Sequence, residues 1–387
     1  MQNFLSNFTQ YPSSATTLLL YIMVCLLLTF TLTALFCPTT SQKNINFFAT
    51  INNLDFFKII LTYCVLLHHE LQVLGQENEG LYGVEGFFII SGFLLKYTYS
   101  AFAKNEIKDF ILKKLINFIP YIFLGNMLAL FAYNDFNVLK FFSGIFMFAS
   151  TGFYPEHTYY GPAWYLIVLF WISLLYFILF KTLKKDICDI IISIITFLTL
   201  FSTHNDISPI SIPIEGISKE IPIFTNAFVR GFVGMGLGYF LAESYQTSEA
   251  NKNNSQFMYN LFELALLSYM ILAFFTDEYS MPYVTVLISY LILFWSAINC
   301  KSYLFAKLEK IKWHRFAKYN IAIYMTHWSI CQFQSRLGLW DEYTIFEKII
   351  LTLVSSIILG VISYWTIRFG QYFSKKLHTK ICSTKQQ

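Results

Sequence analysis

The sequence predicts an all-α, polytopic integral membrane bundle of about eleven transmembrane helices, ten forming a core and one preceding it. Three observations predict this. Of 387 residues, 56% are hydrophobic and only 13% charged, with a mean hydropathy of +0.52, whereas a soluble domain carries about 25% charge. Apolar runs of spanning length recur along the whole chain. The loops between them alternate between basic and acidic or near-neutral, which gives each run a direction.

The apolar runs lie at 16–37, 54–74, 83–102, 116–133, 163–180, 187–203, 223–243, 259–275, 282–299, 319–333 and 349–367. The first lacks a basic flank and is long for a signal-peptide core, so it reads as a retained span. A shorter run at 138–150 reads as re-entrant or interfacial. Lys/Arg-rich loops belong on the cytoplasmic side. Lys96, Lys104, Lys108, Lys113 and Lys114 make one basic stretch, and Lys181, Lys184 and Lys185 a second. Lys301 through Lys318 makes a third, and the tail adds Arg368, Lys375, Lys376 and Lys380. The loops between are marked by Glu77 and Glu79, or by Asp277 and Glu278. This alternation predicts the N-terminus outside and the C-terminus in the cytoplasm. It also implies that 138–150 does not cross.

Several chemistries are disfavoured. The positive charge is spread over short loops, not gathered into a patch for nucleic acid. The seven cysteines are scattered, mostly within apolar runs, and read as small core residues. His68-His69-Glu70 has no second ligand pair at helical spacing, so no metal site is expected. There is no phosphate-binding glycine loop, nucleophile elbow or dinucleotide fingerprint.

Ionisable residues within spans are costly and usually functional. Lys58 and His69 stand eleven residues apart on one span, about 16 Å along its axis and on one face. Lys58 falls near the cytoplasmic side and His69 near the outer side. They read as a functional pair, or as a snorkelling lysine and an interfacial histidine. Glu85 lies at the depth of His69 within a glycine-rich run, where it is either a rim carboxylate or a group that orients the imidazole. Gly83, Gly86 and Gly92 leave room for helix approach or for a ligand. Arg230 and His327 fall in the outer halves of their spans, and a buried arginine needs an anionic or polar partner. Lys113 and Lys114, ahead of Pro120, suit phosphates, or simply mark the inside.

In this order the motifs resemble acyltransferase family 3, membrane proteins that O-acylate cell-surface sugars. Lys58 and His69 match that family's basic residue, ten spacers and histidine. The run 83–93 matches G-V-D-x-F-F-x-x-S-G-F, with Glu85 in place of Asp and including Ser91. Lys113 and Lys114 match a basic cluster ahead of a proline, and Trp164-Tyr165-Leu166 matches an aromatic W-x-L segment. The stretch 230–239 resembles an arginine before a Gly-rich span, and 320–327, with Tyr324 and His327, resembles S-x-x-x-Y-x-x-H with Asn320 for Ser. The resemblance covers about 50–370. The sequence departs from it at Asn117, where a second arginine is common, and at Leu169, where many members carry Glu.

The resemblance implies division into an N-terminal extra helix and loop (1–49), a membrane acyltransferase domain (50–370) and a cytoplasmic tail (371–387), without the extracellular domain some members carry. It implies location in the bacterial inner membrane and an acyl-CoA donor, most often acetyl-CoA. The acceptor would be a hydroxyl of a sugar, polysaccharide or lipopolysaccharide of the cell envelope. Lys113, Lys114 and Lys58 would hold the donor's phosphates. His69, oriented by Glu85, would be the base or carry a transient acyl group, and Ser91, Trp164, Arg230, Tyr324 and His327 would bind substrate or the developing oxyanion. Intramembrane His, Arg and Lys also suit a transporter or flippase, although no inverted repeat is visible. A non-catalytic scaffold or sensor is the third reading.

Overall fold

A computed structural model describes residues 15–36, 51–76, 79–103, 106–133, 136–151, 154, 158–202, 225–247, 256–274, 283–299, 302–338 and 340–384. Lys104, Lys301, Glu77, Asp277 and Glu278, which contribute to the loop-charge pattern, lie outside the described residues, as does most of the loop expected before residue 50.

Among the described residues the chain is helical, with only isolated bridges joining Ala149 and Thr151 to Tyr154. The helices are α1 (Ala15–Phe36), α2 (Asn52–Val73), α3 (Gly83–Phe102), α4 (Ile107–Leu130), α5 (Val138–Ile145), α6 (Trp164–Thr182), α7 (Lys185–Ser202), α8 (Asn226–Thr247), α9 (Gln256–Phe274) and α10 (Tyr283–Asn299). They continue with α11 (Tyr303–Leu308), α12 (His314–Ala317), α13 (Asn320–Tyr324), α14 (His327–Leu337) and α15 (Ile345–Thr384). Stretches 18–35, 107–130, 161–182 and 345–377 are each long and apolar enough to cross a membrane unaided. The all-α membrane bundle is therefore observed.

Three expected spans differ in outline. The span at 116–133 begins nine residues earlier, because Lys108, Lys113 and Lys114 continue the helix of α4 although they lower its hydropathy. The last span runs on as α15 to Thr384, since nothing between residues 368 and 384 breaks a helix. The span at 319–333 is not continuous: α13 stops at Tyr324 and α14 starts at His327. The 138–150 run holds only the eight-residue α5, about 12 Å long and too short to cross. Leu139, Phe142 and Phe146 of that segment are exposed while Phe141 is buried, the pattern of an interfacial helix.

Lipid tails offer no hydrophobic drive between helices, so close packing and hydrogen bonds must hold them together. The tightest contact is between α3 and α8. A Cβ on Gly92 would strike the Met235 carbonyl, and one on Gly238 would strike the Ile89 carbonyl. The glycines therefore serve backbone-to-backbone approach. Helix α1 packs on α4 and α15. Tyr21 donates to the Met127 carbonyl, Phe30 meets Phe373 at 5.7 Å, and a Cβ on Gly370 would press on Thr33. Its other face, with Leu19, Leu20, Met23 and Leu27, is exposed, as a lipid-facing surface should be.

Candidate active site

The predicted residues fall into three groups. The first surrounds a cavity of about 550 Å³ between α2, α3, α4, α6, α13 and α15. Its rim carries Lys58, Lys113, Lys114, Lys318 and Arg368, with His314 nearby. Lys318, Arg368 and His314 are exposed, so the cationic end is the mouth. Lys58 is tempered by an ion pair to Asp55 at 2.8 Å. Lys114 lies 5.6 and 5.5 Å from the ring centres of Phe110 and Phe118, so its charge is desolvated but favourably placed. Asn117 and Leu169, the two departures from the family pattern, both line this cavity. Lys318 and Arg368 were counted only toward orientation in the sequence. Their convergence on Lys113 and Lys114 depends on the packing of α4 with α13 and α15.

Away from the exposed cations the cavity is lined by Phe87, Tyr165 and Tyr324, which pack on one another. Their ring centres are 5.7 Å apart for Phe87–Tyr165, 6.3 Å for Phe87–Tyr324 and 5.8 Å for Tyr165–Tyr324. Ser91 reaches Tyr165 at 3.4 Å, and the Tyr324 hydroxyl donates to the Pro162 carbonyl at 3.1 Å. Ser91 and Tyr324 thus both line the cavity.

The second group joins Glu85 and Arg230. Arginine Nε lies 2.5 Å from Oε1 and its Nη2 2.9 Å from Oε2, and both side chains are buried. Tyr283 donates to Oε1 at 3.4 Å, and the guanidinium carbon lies 5.1 Å from the Trp164 ring centre. The expectation that Glu85 orients His69 is corrected here: its carboxylate is held by Arg230. The parallel α3–α8 contact explains this, because the register that sets Gly92 against Met235 and Ile89 against Gly238 also carries Glu85 to Arg230. Trp164 accordingly packs on this ion pair.

The third group is a histidine pair. The rings of His69 and His327 stack with centroids 5.3 Å apart and planes at 25°. His68 and Trp328 lie 5.1 and 5.0 Å from His69. His327 is the first residue of α14, directly after the break. In an unbroken helix the Tyr324 carbonyl would accept from the Trp328 N–H. Here that carbonyl accepts from the Tyr160 hydroxyl and from His327 Nδ1 at 2.7 Å, and the Trp328 N–H donates to Tyr160 Oη at 3.4 Å. Side chains thus satisfy the backbone that the break releases, as a membrane interior requires. Tyr160 is itself fixed by Asn126, whose Oδ1 accepts its N–H at 2.9 Å and also the Thr158 hydroxyl. Sequence reading missed Tyr160 and Asn126. A buried asparagine within the apolar α4 was the available signal.

Among the described residues no group of three or more His, Cys, Asp or Glu is arranged to hold a metal. Comparison with known proteins then decides the family: a family model described as an acyltransferase domain matches residues 51–368. The chain belongs to acyltransferase family 3. Curated proteins and solved structures gave no match. Membership makes this acyltransferase an enzyme of the membrane, moving an acyl group from a donor to an acceptor.

Proposed function

We propose that the protein transfers an acetyl or other short acyl group from acyl-CoA to a hydroxyl of a cell-envelope sugar or polysaccharide, in the bacterial inner membrane. The observation that carries this reading is the cavity with a cationic mouth and an aromatic end. Phosphates of acyl-CoA suit Lys113, Lys114, Lys318 and Arg368 through charge-assisted hydrogen bonds. The less polar thioester arm suits the aromatic end, and Tyr324 joins that end to the histidine pair through its carbonyl. The acceptor hydroxyl attacks the thioester carbonyl while an imidazole removes its proton. The sequence points to His69 for this step. Glu85 and Arg230 support it by fixing α3 against α8. Residues 50–370 form the acyltransferase domain, with 1–49 and 371–387 flanking it. The cationic mouth faces the cytoplasm, where acyl-CoA is made.

The test is to supply labelled acetyl-CoA to membranes containing the protein and read the label and mass of the surface glycans. An increment of one acetyl group per modified hydroxyl, absent without the gene, supports the reading. Lys114→Ala should raise the donor KM about tenfold, as expected for one charged hydrogen bond, and leave kcat within about twofold. The broken α13–α14 element is also a transporter-like feature. Movement of a sugar-linked substrate with no acylated product would favour that reading.

A further inference from the structure

The break between α13 and α14 gathers buried polar atoms left without partners: His327 Nε2, His69 Nδ1, Trp328 Nε1 and Ser329 Oγ. Such atoms are costly in a dry interior unless something completes their hydrogen bonds. A hydroxyl-rich ligand would do so. The two histidines differ in one respect. His327 Nδ1 faces the Tyr324 carbonyl at 2.7 Å, and a carbonyl oxygen can only accept, so Nδ1 carries the proton of the neutral ring. Nε2 is left with its lone pair. The Tyr160 hydroxyl, which donates to the same carbonyl and lies 3.2 Å from Nδ1, braces this arrangement. His69 is hydrogen-bonded by the Gln72 side chain, whose amide can either donate or accept, so that contact leaves its tautomer open.

We infer that His327 Nε2 is the base that takes the proton of the acceptor hydroxyl, that His69 orients that hydroxyl from the stacked position, and that Tyr160 is a positioning residue holding the His327 tautomer. This rests on the acyl-transfer reading and moves the base from His69. The hydroxyl oxygen bonds to the thioester carbonyl carbon as its proton passes to Nε2. The carbon–sulfur bond breaks with its electron pair on sulfur, and the CoA thiolate then takes the proton from Nε2. Hydroxyl and thioester thus become ester and thiol with nothing else consumed. The titratable groups facing His327 are His68 and His69 of α2, Tyr160, and Tyr324 of α13, with Cys331 of α14 beside Tyr160.

His327→Asn separates the roles, because its amide N–H can still serve the Tyr324 carbonyl while Nε2 is removed. The assay uses the full chain in native membranes with labelled acetyl-CoA and follows the rate against pH. The rate should fall about 10²- to 10⁴-fold, donor KM should stay within about twofold, and the acid-side fall in rate should vanish. His69→Asn should also lose rate but keep that acid-side fall. Tyr160→Phe, which retains His327, should lose about tenfold in kcat and shift the acid-side fall at constant donor KM. Thermal melting of each variant checks folding. The proposal is overturned if His327→Asn keeps the wild-type rate or its acid-side fall, or if His69→Asn is the variant that loses it. If His327→Asn does not fold, an unchanged Tyr160→Phe profile overturns it instead. Absence of transfer by the wild-type protein would instead overturn the acyl-transfer reading itself.

Discussion

At the scale of single residues, adjacent positions on α2 have different neighbours. His69 stacks on His327, whereas His68 is buried beside it. His69→Ala should reduce transfer by at least about 100-fold, the range expected when a group that positions or ionises the reacting hydroxyl is lost. His68→Ala should retain most of the activity. The check is labelled acetyl transfer normalised to inserted protein, and equal losses would contradict the assigned register. The spacing from Lys58 placed His69, not His68, on the lysine's face, because helical periodicity is local information, while its assignment to the chemistry came from the family resemblance. The partner of Glu85 was not legible, because Arg230 lies 145 residues away and joins it only through packing. Glu85→Gln should leave a buried guanidinium without its counter-charge, a loss of about 3–5 kcal/mol. Thermal unfolding in detergent should show it. A Glu85→Leu, Arg230→Met double variant should recover much of the loss, and single variants as stable as wild type would refute the structural role.

At the scale of elements, helix positions were legible wherever apolar length decided them: α3 begins and ends where the run 83–102 does. The α13–α14 break was hidden because Met325 and Thr326 are not helix breakers. The interruption is sustained by Tyr160 from another part of the chain, together with Gly125, where a Cβ would lie 2.8 Å from the Met325 carbonyl. The glycines of α3 were visible, but their use was open between a ligand and a neighbouring helix. The backbone contacts at Gly92 and Gly238 decide for the helix. Gly238→Ala should therefore force α3 and α8 apart, at a cost of about 1–3 kcal/mol for overpacking. Thermal unfolding should register this, and a wild-type melting temperature would mean that α8 approaches α3 less closely than described. The variant should lose activity in step with stability, because it displaces Arg230 and Glu85 together.

At the scale of the whole molecule, the loop charges and the chemistry of the cavity both bear on the proposed orientation. Positive loops assign one face to the cytoplasm. The cavity adds a chemical reason, since its exposed cations Lys318 and Arg368 lie at that same face and suit a cytosolic phosphate-bearing donor. The positive-inside pattern also explains why those two residues were read only as topology signals: a cation that sets orientation and one that binds phosphate look alike until the helices are packed. Both arguments require Lys318, at the mouth of the cavity, and Tyr343, ahead of α15, to lie on opposite sides. Both residues are exposed. In a background with the native cysteines replaced, Lys318→Cys should react with a membrane-impermeant thiol reagent only in inverted vesicles, and Tyr343→Cys only in intact cells. Saturating acetyl-CoA should slow labelling at position 318 and leave position 343 unchanged, because only the first borders the cavity proposed to take the donor. The reverse labelling pattern would place the cationic mouth outside the cytoplasm, and a cytosolic acyl-CoA could not then be the donor.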